Sequence, residues 1–310
     1  MHVRKRHKVA IAAAAAAFTG GTLVVVLGIP FAAGGAPLPE RGGAPAASGE
    51  RASEPPREPV PAELDLLHTA RELLLRDCMR AKGFVYQPVP RQPVPEAREF
   101  PLVLDDVDWA RRHGYGSDLA AVAERNQRDD VNQHYFESLP ADRRVQALLA
   151  ANGPRTEGLT ARTPDGMEMG RSPEGCQSDA DRTLYGDLAG WFQARTTLTS
   201  LTSLVSERAG AAPEFSEATR PWAVCMRTAG HDFADPAAVR AALPVPRTEE
   251  IRLAVAEATC AQSSGLAETA SGLSRKFETE LRERYRADVN TAFRLQLGAL
   301  SRARSVIASD

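Results

Sequence analysis

The chain has 310 residues, 43% hydrophobic and 25% charged, enough apolar material for one large domain or two small ones. Its formal net charge is -2, and Arg4, Lys5, Arg6 and Lys8 supply positive charge at the extreme N-terminus, so everything downstream is more acidic than the total. That balance argues against nucleic acid or an anionic lipid surface as a partner of the globular part.

Arg4 to Lys8 precedes Val9 to Ala33, an uncharged and mainly apolar run. Residues 1–33 therefore read as an export signal, with the basic end cytoplasmic and the C-terminal side outside. The run is long enough to stay in the membrane as an anchor, since about 20 residues span the hydrocarbon. Ala32 and Gly34 also offer small residues for cleavage after Gly34, which would release a secreted form. We adopt the anchor, which makes the membrane a partner through the N-terminal segment. Residues 34–61 hold Pro37, Pro39, Pro45, Pro55, Pro56, Pro59 and Pro61 among glycine, alanine and charges, and the sequence predicts a disordered tether.

The core of the chain contains a duplication. Cys78-Met79-Arg80-Ala81-Lys82-Gly83 recurs as Cys225-Met226-Arg227-Thr228-Ala229-Gly230, and Pro88-Val89-Pro90-Arg91 has an echo in Pro244-Val245-Pro246-Arg247. Each copy then reaches a second cysteine, Cys176 or Cys260. Leu67, Arg71, Leu74, Cys78 and Ala81 follow helical spacing, as do Phe215, Ala218, Trp222, Cys225 and Ala229. Gly83 and Gly230 are the expected helix stops, Met79 and Met226 core residues, and Pro221 starts or kinks the second helix. Four cysteines allow three pairings, and the duplication favours Cys78 with Cys176 and Cys225 with Cys260. Each bridge would stabilise by about 4 to 5 kcal/mol on the chain-entropy estimate. Cysteine pairs at metal-ligand spacing are absent from the sequence, so structural disulfides are the reading and neither metal nor cofactor is expected.

The copies span 62–210 and 211–310, the first enlarged by an insertion at about 96–170. Within the insertion Ser117 can cap a helix carrying Leu119, Val122 and Ala123, and Pro140 can open one through Val145, Leu148 and Leu149 that Gly153 ends; the rest reads as turns. Leu184, Leu188, Trp191, Leu198, Leu201 and Val205 predict one long amphipathic helix. A long C-terminal helix follows from Leu273, Phe277, Leu281, Tyr285, Val289, Phe293 and Leu297. Its four-residue repeat advances about 40° per step, so the stripe winds about 240° over its length. Such a helix either clasps both copies in succession or breaks. The fold class expected is all-α, a disulfide-stapled helical domain built on the duplication.

Chemistry is hard to find. His68, His113, His134 and His231 stand apart from one another, and Asp105, Asp106 and Asp108 lack the glycine and glutamate of a calcium loop. Gln87 to Pro95 is proline-rich and reads as a spacer rather than a polyproline ligand. The motifs C-M-R-x-x-G-F-x-Y at Cys78 to Tyr86, Arg111 to Tyr115, Pro173 to Cys176 and Trp222 to Met226 resemble a set of uncharacterised exported four-cysteine proteins from high-GC Gram-positive bacteria. That resemblance implies an envelope location and no activity. The function expected is an extracytoplasmic binding or assembly module of the bacterial envelope, facing an envelope protein or cell-wall component. The alternative is an envelope hydrolase with a dispersed site, around His113 or His231.

Overall fold

The computed structural model describes residues 55–155 and 157–310. The leader over 1–33 and the tether as far as residue 54 lie outside them, and among the described residues no helix is long and apolar enough to cross a membrane. The fold is all-α apart from one hairpin.

Helix α1 (Pro61–Ala81) opens with proline in its first turn, and the Glu63 carboxylate accepts from the Val60 amide at 3.0 Å. It ends at Gly83, whose φ of 78° lets the Phe84 amide donate to Met79 O at 2.9 Å. The second copy repeats this ending. The helix that carries Cys225 stops at Gly230 with φ 87°, and the His231 amide donates to Met226 O at 2.8 Å. The repeated C-M-R-x-x-G is thus one helix-terminating device used twice, with both methionines buried.

Four short helices follow: α2 (Val107–His113), α3 (Ser117–Arg128), α4 (Val131–Ser138) and α5 (Ala141–Asn152). Asp106 caps α2 by accepting from the Trp109 amide, so the acidic turn has a helix-starting role. Gly116, not Ser117, is the cap residue of α3, and the Ser117 hydroxyl is turned to Glu250 instead. Helix α5 buries Ala147 and Ala151 and leaves Val145, Leu148 and Leu149 exposed, the reverse of the face that hydrophobicity alone would select. The segment expected to be only turns contains an antiparallel hairpin, β1 (Leu159–Arg162) with β2 (Glu168–Arg171), pairing Leu159 with Arg171 and Arg162 with Glu168. Gln193 pins it, accepting from the Arg162 amide at 2.8 Å and donating to the Arg162 carbonyl at 3.0 Å.

The helix predicted across Leu184 to Val205 is two helices, α6 (Cys176–Tyr185) and α7 (Leu188–Ala211). Gly186, at φ 76°, breaks them, and Asp187 restarts the chain by accepting from the Gly190 amide at 2.9 Å. The second copy comprises α8 (Pro213–Thr228), with Pro221 inside it, then α9 (Pro236–Ala241) and α10 (Arg247–Ser263). The long C-terminal helix likewise divides, into α11 (Leu266–Arg284) and α12 (Arg286–Ala308), meeting at Tyr285. The winding stripe is the physical reason: α11 packs on α7, α8 and α10, whereas α12 packs on α1, α6 and α7.

Both bridges join residues within a copy, Cys78 to Cys176 and Cys225 to Cys260, with Cα atoms 5.5 and 5.6 Å apart. The cores, however, interleave. Val103 joins Trp222, Met226, Val239, Leu253 and Leu266, and Leu104 and Trp109 pack with Ala254 and Ala258, so the inserted segment covers the second copy. Conversely, Leu295, Ala299, Leu300 and Ala303 of α12 complete the first-copy core around Leu67, Ala70, Leu184 and Trp191. Helices α1 and α12 run in the same direction: Glu58 pairs with Arg282 at one end (2.8 Å) and Arg76 with Asp310 at the other (2.5 Å).

Candidate functional site: a cationic cavity between α1, α7 and α12

On α1, Leu64, Leu67, His68 and Arg71 are separated by three and four residues and share one face; on α7, Trp191, Arg195, Leu198 and Thr199 do the same. These faces meet Tyr185, Gln296 of α12 and Arg91 around a cavity of about 280 Å³. That lies just under the roughly 300–1,000 Å³ of pockets for drug-sized ligands, so the space suits a small molecule or one group of a larger one.

Tyr185 and Trp191 stack at 3.8 Å between ring centroids to make an aromatic wall. Trp191 Nε1 is buried and donates to nothing among the described residues. The His68 ring is fixed by its Nε2, 2.8 Å from the Val89 carbonyl. Arg91, at the rim, is paired with exposed Asp65 at 2.6 Å.

Behind the cavity lies a buried charge network. Asp181, with no solvent exposure, accepts from Arg71 Nε and Arg171 Nη1, both at 2.8 Å. Burial alone would raise its pKa, but Arg71, Arg171 and Arg195 overcome that and hold the carboxyl below the usual aspartate range. Glu72, equally buried, accepts from the Tyr86 hydroxyl at 2.6 Å, the Val89 amide at 3.2 Å and Arg71 at 3.3 Å. Arg195 stands apart, with no hydrogen bond or carboxylate partner among the described residues. Desolvation lowers its pKa, Asp181 pulls it up, and Arg71 and Arg171 repel it. No carboxylate lines the cavity.

The second copy has its own buried glutamate. Glu257 accepts from the Leu104 amide at 2.9 Å, the Tyr115 hydroxyl at 2.5 Å and Arg240 at 2.7 Å. Each copy therefore holds a segment against its helices through one glutamate, one tyrosine, one backbone amide and one arginine: the loop after α1 in the first, the inserted residues 104–115 in the second. Beside Glu257, Glu250 accepts from the Tyr115 amide at 2.8 Å and from Ser117. Gly114 is required there: its φ is 58° and a Cβ would lie 2.8 Å from Glu250 Oε1. A larger cavity, about 670 Å³, lies over this copy between Leu102, Phe215 and Thr219, but Glu207 and Asp235 balance Arg220 and Arg240 in its lining.

Of the residues singled out from sequence, the four cysteines form the two bridges and line neither cavity. His113 donates through Nδ1 to Asp118 at 2.9 Å, as a catalytic histidine would, yet its Nε2 is buried and meets no nucleophile among the described residues. The nearest serine hydroxyl in that cluster, Ser117, is bound to Glu250 and Arg247. His231 closes the end of α8 through its backbone amide, and neither histidine lines either cavity. The Gln87 to Pro95 run is tied down: Asn132 bonds both the amide and the carbonyl of Gln87. The cavity arginine Arg195 escaped sequence reading, although a charge on an otherwise apolar helix was a usable signal, as Arg71 on the Leu67 to Cys78 stripe also was.

No protein-family model matches the chain, and no curated protein or solved structure is significantly similar to it.

Proposed function

We propose that the chain is an extracytoplasmic binding module of the cell envelope, held at the outer membrane face by its N-terminal segment or released from it. The observation that carries the reading is the cavity between α1, α7 and α12, whose donors and apolar walls are suited to holding a molecule. Its lining offers no serine, cysteine or carboxylate to attack or transfer protons, which favours binding over hydrolysis. Two closed disulfides with no free thiol support an oxidising compartment. The interleaved cores support one rigid binding body rather than two hinged copies.

The test is made on cells. Intact cells are treated with a membrane-impermeant biotinylating reagent, and the protein is then purified without reductant and analysed by native mass spectrometry. Surface labelling, oxidised cysteines and a bound small molecule are the expected result. A protein labelled only after lysis, with reduced thiols, is incompatible with this reading.

A further inference from the structure

The charges around the cavity do not balance. Arg71, Arg171 and Arg195 face Glu72 and Asp181, and both carboxylates are already committed to Arg71 and Arg171. Arg195 is the remaining cation, and it lines the cavity together with Trp191, whose buried indole N–H has no acceptor. A half-buried cation with no carboxylate partner leaves a charge that one bound anion would neutralise. The excess is a single charge. A guanidinium fork matches the planar carboxylate in particular. The remaining lining is apolar or aromatic: Leu64, Leu67, Leu198 and the stacked Tyr185–Trp191 pair.

We propose that this cavity binds a small organic monoanion, a carboxylate bearing a short aromatic or branched apolar group, with Arg195 as its counter-charge. This rests on the binding-module reading and names its ligand class. The aromatic pair and the three leucines hold the apolar group, and the volume excludes long acyl chains. Arg91 sits at the rim, where its ion pair with Asp65 leaves it electrically neutral toward the ligand.

The test uses the oxidised full chain in calorimetric titrations with benzoate, phenylacetate and isovalerate, and with benzyl alcohol and inorganic phosphate as controls. At least one carboxylate should bind and raise the melting temperature, while benzyl alcohol and phosphate should not. Arg195→Met should weaken carboxylate binding at least tenfold without lowering the melting temperature of the unliganded protein, because it removes a half-buried charge that has no carboxylate partner. A purely structural Arg195 would destabilise on removal, so that readout separates the two roles. Absence of binding by all three carboxylates, equal binding by the Arg195→Met variant, or binding of phosphate alone overturns the proposal. Failure here together with surface labelling and a different bound molecule from cells would remove the carboxylate and leave the module. Carboxylate binding by a chain found reduced in the cytoplasm would do the opposite.

Discussion

Glu257 is completely buried yet meets three donors from different parts of the chain, the Leu104 amide, the Tyr115 hydroxyl and Arg240. Replacing it by leucine keeps most of the volume and strands those donors, so Glu257→Leu should destabilise by about 3–5 kcal/mol in denaturant titration. Adding Tyr115→Phe removes one stranded hydroxyl and should recover part of the loss, a coupling that independent sites would not show. At Asp181 the linkage sign is set by a lowered pKa. A carboxyl whose folded value lies below its ordinary 3.8 contributes stability that is present above that value and lost as pH falls through the folded one. Glu250 acts in the same sense, held below its ordinary 4.5 against burial by Ser117, the Tyr115 amide and Arg247. The melting temperature should therefore be steady from neutral pH to about 5 and fall steeply below about 4. Asp181→Asn should lower it at neutral pH and flatten that acid limb. None of these partners was visible in sequence, because Glu257 and Leu104 meet only through tertiary packing; a glutamate in an amphipathic helix otherwise reads as solvated.

The elements were legible in proportion to how local their causes are. The matching ends of α1 and α8 follow from glycine at the same place in each repeat, and the repeat itself pointed to the right cysteine pairs. The break at Gly186 was not read, because apolar spacing runs straight through it; for the last helix a break was one of two outcomes, without its position at Tyr285. At Tyr285 the winding stripe had signalled that one straight helix could not satisfy both ends. Leu281, Val289 and Phe293, on either side of the break, share one core cluster with Leu201 of α7. Phe293 is 7% exposed, so Phe293→Ala should cost about 3–5 kcal/mol. An unchanged melting temperature would place the ring outside the core. Deleting the chain from Arg286 should uncover Leu67 and Ala70 of α1 and increase binding of a hydrophobic dye, while the Cys225–Cys260 bridge stays oxidised in peptide mapping.

At the scale of the molecule, the duplication gives two copies whose cores interleave. Inserted residues 103–119 close the core of the second copy, and the last helix closes that of the first. A boundary drawn near residue 211 from the repeat therefore separates bridges and not cores. The insertion seemed a local enlargement because nothing in its own sequence says which copy its Trp109 will join. The candidate cavity belongs to this exchange, since α1 and α7 come from the first copy's span and Gln296 from the second's.

The cysteines pair in the order in which they occur, first with second and third with fourth. A chain that emerges N-terminus first presents Cys78 alone until Cys176 follows, and Cys225 alone until Cys260 follows. Oxidation by order of arrival then produces the native pairs without a misjoined intermediate. Maturation needs an oxidant but no enzyme that reshuffles bonds, and cells lacking disulfide-isomerase activity should yield the same amount of correctly bridged protein. The first helix meets a different delay. Its partner α12 is made last, on the order of ten seconds or more later at ordinary synthesis rates, so the apolar face of α1 needs shelter before the fold can close.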